Sequence, residues 1–213
     1  MEAFERWKTT HRGLFTFAES PKHHALYQKF GFYPRFLTVV LGKPVRPIGA
    51  PAGLRRFSAV AKAEWDDSLG GCRALTASLY PGLDLTSEIR ATDDGELGDT
   101  LLLEEAGTIV ALAVCHSGKG TEAGSDTAYV KFAAVRGGSG AHRDLLRLLD
   151  ACQSLAAANG ATRLITGVNL AREQAYRALL RYGFRTEIVG VAMHGGNDPG
   201  YSRSDVFALD DWR

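Results

Sequence analysis

The segment Val135-Arg136-Gly137-Gly138-Ser139-Gly140-Ala141 has the residue types and spacing of a small-molecule site. It follows an apolar run and opens a helical pattern. Its glycines let the backbone turn sharply and aim several N–H groups at one point. At the start of a helix those donors add to the positive end of the macrodipole, which is the chemistry of an anion site. Arg136, His142, Arg143 and Arg147 crowd the same helix end, where cations are unfavourable, so a bound phosphate or pyrophosphate would relieve them. Two rival motifs fail. Gly137-Gly138-Ser139-Gly140-Ala141 approaches the G-x-S-x-G nucleophile elbow, yet the only Asp residues between Ser139 and His194 are Asp144 and Asp150, on the helix just after the serine. Gly118-Lys119-Gly120-Thr121 lacks the Ser/Thr directly after Lys and the spacing of a phosphate-binding P-loop.

The elements around this turn read clearly in places. Tyr129 to Val135 is a strand, and Ala141 to Asn159 is a helix with Leu145, Leu148, Leu149, Cys152, Leu155 and Ala156 on one face. Leu164–Val168 is a strand, Glu173 to Tyr182 a helix stopped by Gly183, and Glu187 to Met193 a further strand. Upstream, 101–105 and 108–115 flank Ala106-Gly107 as a hairpin. The spacing also predicts helices over 54–65 and 68–80 and a mobile polar loop over 117–127. The order is helices, antiparallel strands, helix, strand, helix, strand: a mixed α+β chain with one parallel step.

A Pro/Gly-rich linker, 44–53, divides residues 1–43 from 54–213. The front piece reads as strand, helix, strand, and its helix stops at Gly31-Phe32 as the later one stops at Gly183-Phe184. The copies lie roughly 150 residues apart, a domain duplication rather than a solenoid period. Residues 1–43 are too few to bury a core alone. They are expected to complete a sheet on 54–213 or on a second copy, the second case giving a homodimer through 1–43.

With 45% hydrophobic and 23% charged residues the chain is globular in composition, and its length is one domain plus about 45 residues. Lys plus Arg is 25 against Asp plus Glu 24, so no whole-molecule field gathers nucleic acid or anionic membrane. No apolar run reaches the roughly 18 residues of a membrane span, and the charged start Met1–Lys8 has no signal-peptide core. The 3 cysteines lie far apart with no C-x-x-C pair, so neither a disulfide framework nor a metal site is expected, and a cytoplasmic location is.

Strand, glycine turn, helix, strand, helix ending in Gly-Phe, strand resembles the GNAT (Gcn5-related N-acetyltransferase) family. There the turn reads R/Q-x-x-G-x-G/A; with Arg136 in first place, Ser139 takes the first glycine position and Ala141 the last. The family ending Tyr-x-x-x-Gly-Phe is matched by Tyr27 to Phe32, whereas Leu179 stands in the tyrosine's place before Gly183-Phe184. The whole is similar to a tandem GNAT protein with a truncated first domain. The resemblance implies a twisted, mostly antiparallel sheet flanked by helices. It implies acetyl-CoA as cosubstrate, its pyrophosphate on Val135, Arg136, Gly137, Gly138, Ser139, Gly140 and Ala141. The pantetheine arm would run along the preceding strand, with Asn169 either bonding it or capping the next helix. The acceptor would be the amine of a small molecule or peptide. Tyr176 and Tyr27 become candidate acids, beside Tyr182, and Glu104 the candidate base, with Glu105 and His116 as others. The alternative is a non-catalytic GNAT-like domain with a structural or interaction role.

Overall fold

The computed structural model describes residues 2–211; Met1, Trp212 and Arg213 lie outside the described residues. Among the described residues one nine-stranded sheet runs in the order β1-β8-β2-β7-β6-β5-β4-β3, with β9 paired to β6 off that path. The front of the chain supplies α1 (Glu2–Arg6), β1 (Gly13–Phe17), α2 (Pro21–Gln28) and β2 (Phe32–Pro44). After the linker come β3 (Leu54–Arg56), α3 (Trp65–Leu79), α4 (Thr86–Asp94), β4 (Gly98–Glu105), β5 (Thr108–Gly118), β6 (Gly124–Val135) and α5 (Ala141–Ala158). The chain continues through β7 (Arg163–Asn169), α6 (Glu173–Tyr182), β8 (Arg185–Gly195) and β9 (Ala208–Leu209). All pairings are antiparallel except β6 with β7.

The alternation of strand side chains divides the core in two. Leu101, Leu103, Ala111, Ala113 and Cys115 face α5 and α6, whereas Leu102, Leu112 and Val114 face α3 and α4. Ala106 and Gly107, with φ of 48° and 73°, form the two-residue hairpin between β4 and β5 that primed turns require. Gly183, at φ 104°, ends α6 while Phe184 N–H donates back to the Leu179 carbonyl.

β2 does not extend the sheet at an edge. It lies between β7 and β8, paired from Thr38↔Asn169 to Pro44↔Arg163 on one side and from Phe32↔Gly195 to Gly42↔Arg185 on the other. The segment before the linker therefore completes the sheet of its own chain. The β1–β8–β2 end leaves Phe17, Leu37, Ile188 and Val189 exposed.

Two sequence expectations are corrected. Residues 54–65 are not a helix: β3 pairs with β4, and two 3-10 turns follow at Phe57–Ala59 and Lys62–Glu64. Buried Asp99 decides this, taking Arg56 Nε at 2.6 Å and both the N–H and hydroxyl of Ser58. The 117–127 loop shrinks to 119–123, because Ser117↔Ala128 and Gly118↔Gly124 continue the β5–β6 ladder. Finally, α4 carries no sequence prediction; its 9 residues bury only Ile89 and Thr92. No described helix is long and apolar enough to cross a membrane.

Candidate active site

β6 delivers buried Val135 to the glycine turn, and α5 begins at buried Ala141. Gly138 sits at φ +128°, and a Cβ at Gly137 or Gly138 would meet nothing within 4 Å, so the outer face of the turn is open. Gly140 caps α5 with no side-chain bond, leaving its first-turn N–H groups without a capping side chain. The cations are not waiting for an anion, which corrects the crowding argument. Arg143 Nη2 meets Glu105 at 3.0 Å, and Arg147 Nη1 meets Glu105 at 2.5 Å and buried Asp144 at 3.1 Å. Arg136 Nη2 donates to the Ile109 carbonyl at 3.2 Å.

Beside this turn the sheet opens. β6 and β7 pair only from Thr127↔Arg163 to Val130↔Thr166, then diverge. β9 fills the gap, pairing Ala133↔Leu209 and Ala134↔Ala208, while Val135 N–H donates to the Phe207 carbonyl at 2.9 Å. Fully buried Arg172 anchors it through Nη1 to Asp210 Oδ2 at 2.9 Å, Nη2 to Asp210 Oδ1 at 3.1 Å and Nη1 to the Ala208 carbonyl at 2.7 Å. Its guanidinium lies 4.9 Å from the Tyr201 ring centroid, and the Tyr201 hydroxyl donates to Asp210. Burial opposes the Arg172 charge, but Asp210 and Tyr201 outweigh it and hold its pKa above the ordinary value. The Tyr129 hydroxyl donates to Asp211 at 2.8 Å. A Cβ on Gly167 would fall 2.2 Å from the Asp211 Cβ, so only glycine admits this approach.

Against the other flank of β6, under α4, is a cavity of about 330 Å³ lined by Asp84, Glu88, Tyr129, Lys131, Tyr201 and Asp210 among others. Lys131 Nζ lies 3.3 Å from Glu88 and 3.1 Å from Glu122. Burial pulls its pKa down, but the two carboxylates together raise it, so it stays an ammonium. Behind them buried His116 places Nε2 at 3.7 Å from Glu88 and 3.3 Å from the Thr92 hydroxyl, and Nδ1 at 3.8 Å from Glu122. Burial and Lys131 depress the His116 pKa against the pull of Glu122 and Glu88.

His11 and His194 are lowered too, chiefly by burial. Just below the ordinary histidine value of about 6.5 the unfolded chain thus binds more protons than the folded one. Stability is expected to be full above that pH and to fall as pH drops through it. Urea midpoints measured from about pH 8 to about pH 5 should decline, less so in His116→Gln; a flat profile would contradict neutral burial of these rings.

No protein-family model and no curated protein matches the sequence. Solved structures do. A GCN5-related N-acetyltransferase from Sphaerobacter thermophilus superposes with TM-score 0.58 at 16% identity, over 86% of this chain and 59% of that one. A GNAT-family acetyltransferase from Colwellia psychrerythraea gives 0.57 at 14%, over 85% and 64%. An inferred acetyltransferase from Pyrococcus horikoshii gives 0.62 at 13%, over 99% and 62%. The fold is the GNAT fold. The chain spans about three fifths of the length of these solved chains.

Within this GNAT fold the structure sorts the residues read from sequence. Val135 to Ala141 form one continuous turn. Glu104 shares a second cavity, of about 410 Å³, with Arg136, Arg55, Asp67 and Ser68, but its carboxylate is held by Arg55 at 2.7 Å. Tyr176 packs against the α5–α6 core and Tyr27 against Phe32 and Met193 near β1, so neither joins the cavity beside β6. The Tyr182 hydroxyl donates to Asp150 at 2.5 Å, and burial pushes its pKa far up. Asn169 bonds the Thr38 hydroxyl and accepts from the Ala171 N–H, the turn-forming role rather than an open one. Glu88, Tyr129, Lys131, Arg172 and Asp210 were missed. The one local signal lay at Asp84, whose carboxylate accepts the Thr86 N–H at 2.8 Å where α4 begins. Acetyl-CoA fits this site only in part: the turn offers open backbone donors, but β9 holds the β6 edge that the GNAT resemblance assigns to pantetheine. Among the described residues no cluster of His, Cys, Asp and Glu is arranged to hold a metal ion.

Proposed function

We propose that this chain acetylates a primary amine of a small molecule or peptide, with acetyl-CoA supplying the acyl thioester. The observation that carries the reading is the Glu88–Lys131 pair lining a cavity on β6, backed by buried His116 and by Glu122, beside the place where β6 and β7 part. An amine arrives as an ammonium with pKa near 10.4 and must lose a proton before it can attack. Asp84 and Glu88 give the cavity wall negative charge that attracts an ammonium. Glu88 Oε1 receives the proton and, being partly exposed, passes it to solvent. Lys131, kept charged, holds Glu88 in place. The turn would take the pyrophosphate on the N–H groups of Gly137 to Gly140, since those of Arg136 and Ala141 already donate to the Val110 and Gly138 carbonyls.

The test is thiol release from acetyl-CoA over a panel of amines. Glu88→Gln is expected to lower turnover by about 10²-fold or more, the usual loss of a positioned base, with coenzyme A affinity unchanged. No release above background with any amine, in the wild type or with β9 loosened as described below, rejects the reading. The alternative, a GNAT-fold domain with a structural or interaction role, is favoured by one observation: β9 already occupies the inner edge of β6.

A further inference from the structure

We infer that β9 and the pantetheine arm of coenzyme A are mutually exclusive occupants of the groove between β6 and β7, so that the chain blocks its own cosubstrate site until residues 206–211 withdraw. This rests on the acetyl-CoA reading above. The groove exists because the parallel pairing stops at Val130↔Thr166. Beyond that point the β6 backbone needs partners, and the only ones it has among the described residues on that edge come from Phe207, Ala208 and Leu209. A ligand with two amides in an extended arm makes bonds of the same kind to such an edge. It would leave the groove at Val135, directly where the open glycine turn begins.

The occupant is well seated. Phe207 and Leu209 enter the α5–α6 core, Val206 and Ala208 the α3–α4 core, so the closed state is the resting one. Its lock, however, is polar. Arg172, Asp210, Tyr201, Tyr129 and Asp211 form the bonds that fix it. β9 pairs with β6 alone and makes no ladder with β7. The stretch leading to it turns at Gly196, Asn197 and Gly200, all with positive φ.

The experiment is calorimetric titration of coenzyme A into the wild type, Asp210→Asn and Asp210→Ala, with amide hydrogen exchange of 206–211 followed in the wild type. Affinity is expected to rise in that order, with Asp210→Ala at least about tenfold tighter than the wild type, as loss of one charged lock is worth at least one decade. Saturating coenzyme A is expected to speed exchange in 206–211. Equal affinity in the three proteins, or binding with unchanged exchange there, overturns the inference. Should Asp210→Ala lose its cooperative unfolding transition, Asp210→Asn and the wild-type exchange decide. Tighter binding by the variants without acetylation of any amine rejects acetyl transfer and leaves the self-blocked groove standing; equal affinity with turnover does the reverse.

Discussion

Deleting residues 1–43 is expected to abolish cooperative unfolding of the remaining chain rather than release a smaller stable domain. β2 is an inner strand, bonded to β7 on one edge and β8 on the other. Without it, β8 has no route into the sheet, and the edge of β7 stands bare. Val39, Val40 and Leu41 are each at most 3% exposed. At about 1.5–3 kcal/mol for each fully buried aliphatic side chain, these three alone contribute roughly 5–9 kcal/mol. A whole domain is stable by only about 5–15 kcal/mol. Thermal melting by circular dichroism checks the deletion, and Leu41→Asp, which puts a charge in the same place, should fail likewise. A truncated chain that still melts in one sharp transition would show that β2 is dispensable.

The second large effect is at Arg172. Arg172→Met is expected to destabilise the fold by about 3 kcal/mol or more, because it strands the Asp210 carboxylate away from water. Arg172→Met combined with Asp210→Leu should recover most of that loss, since an apolar pair of similar volume needs no partner. The sign of the coupling is the informative quantity. Urea denaturation of the two single variants and the double variant gives it directly. Additive losses would mean that the two side chains do not act as a pair, against the bidentate geometry at 2.9 and 3.1 Å.

Local chemistry made much of the fold legible. Ala106-Gly107, Gly183 and the bounds of α6 follow from turn and cap preferences that act within a few residues. The long helix α5 follows from its apolar stripe. What failed was settled at a distance. Residues 54–65 look helical until Asp99, on another strand, claims Arg56 and Ser58. Arg143 and Arg147 look unneutralised because Glu105, which joins nearby Asp144 in pairing them, lies about forty positions away. The Arg172–Asp210 pair spans 38 positions with no motif to announce it. α4 hides because it is a short, polar helix that buries only Ile89 and Thr92, and Glu88 was hidden with it. The front segment reads as a unit of its own because sequence shows its strands but not which strands they enter.

The place of β2 also sets the order in which the molecule can be assembled. Thr38 meets Asn169 across 131 positions, so a ribosome must pass residue 163 before this strand finds either neighbour. During that interval Phe36-Leu37-Thr38-Val39-Val40-Leu41 is a β-prone, uncharged stretch with nothing to cover it. Closing so large a loop first and gaining contacts only afterwards makes folding slow, and it exposes the nascent protein to self-association. Its refolding yield in vitro should therefore depend on protein concentration far more than its native stability does.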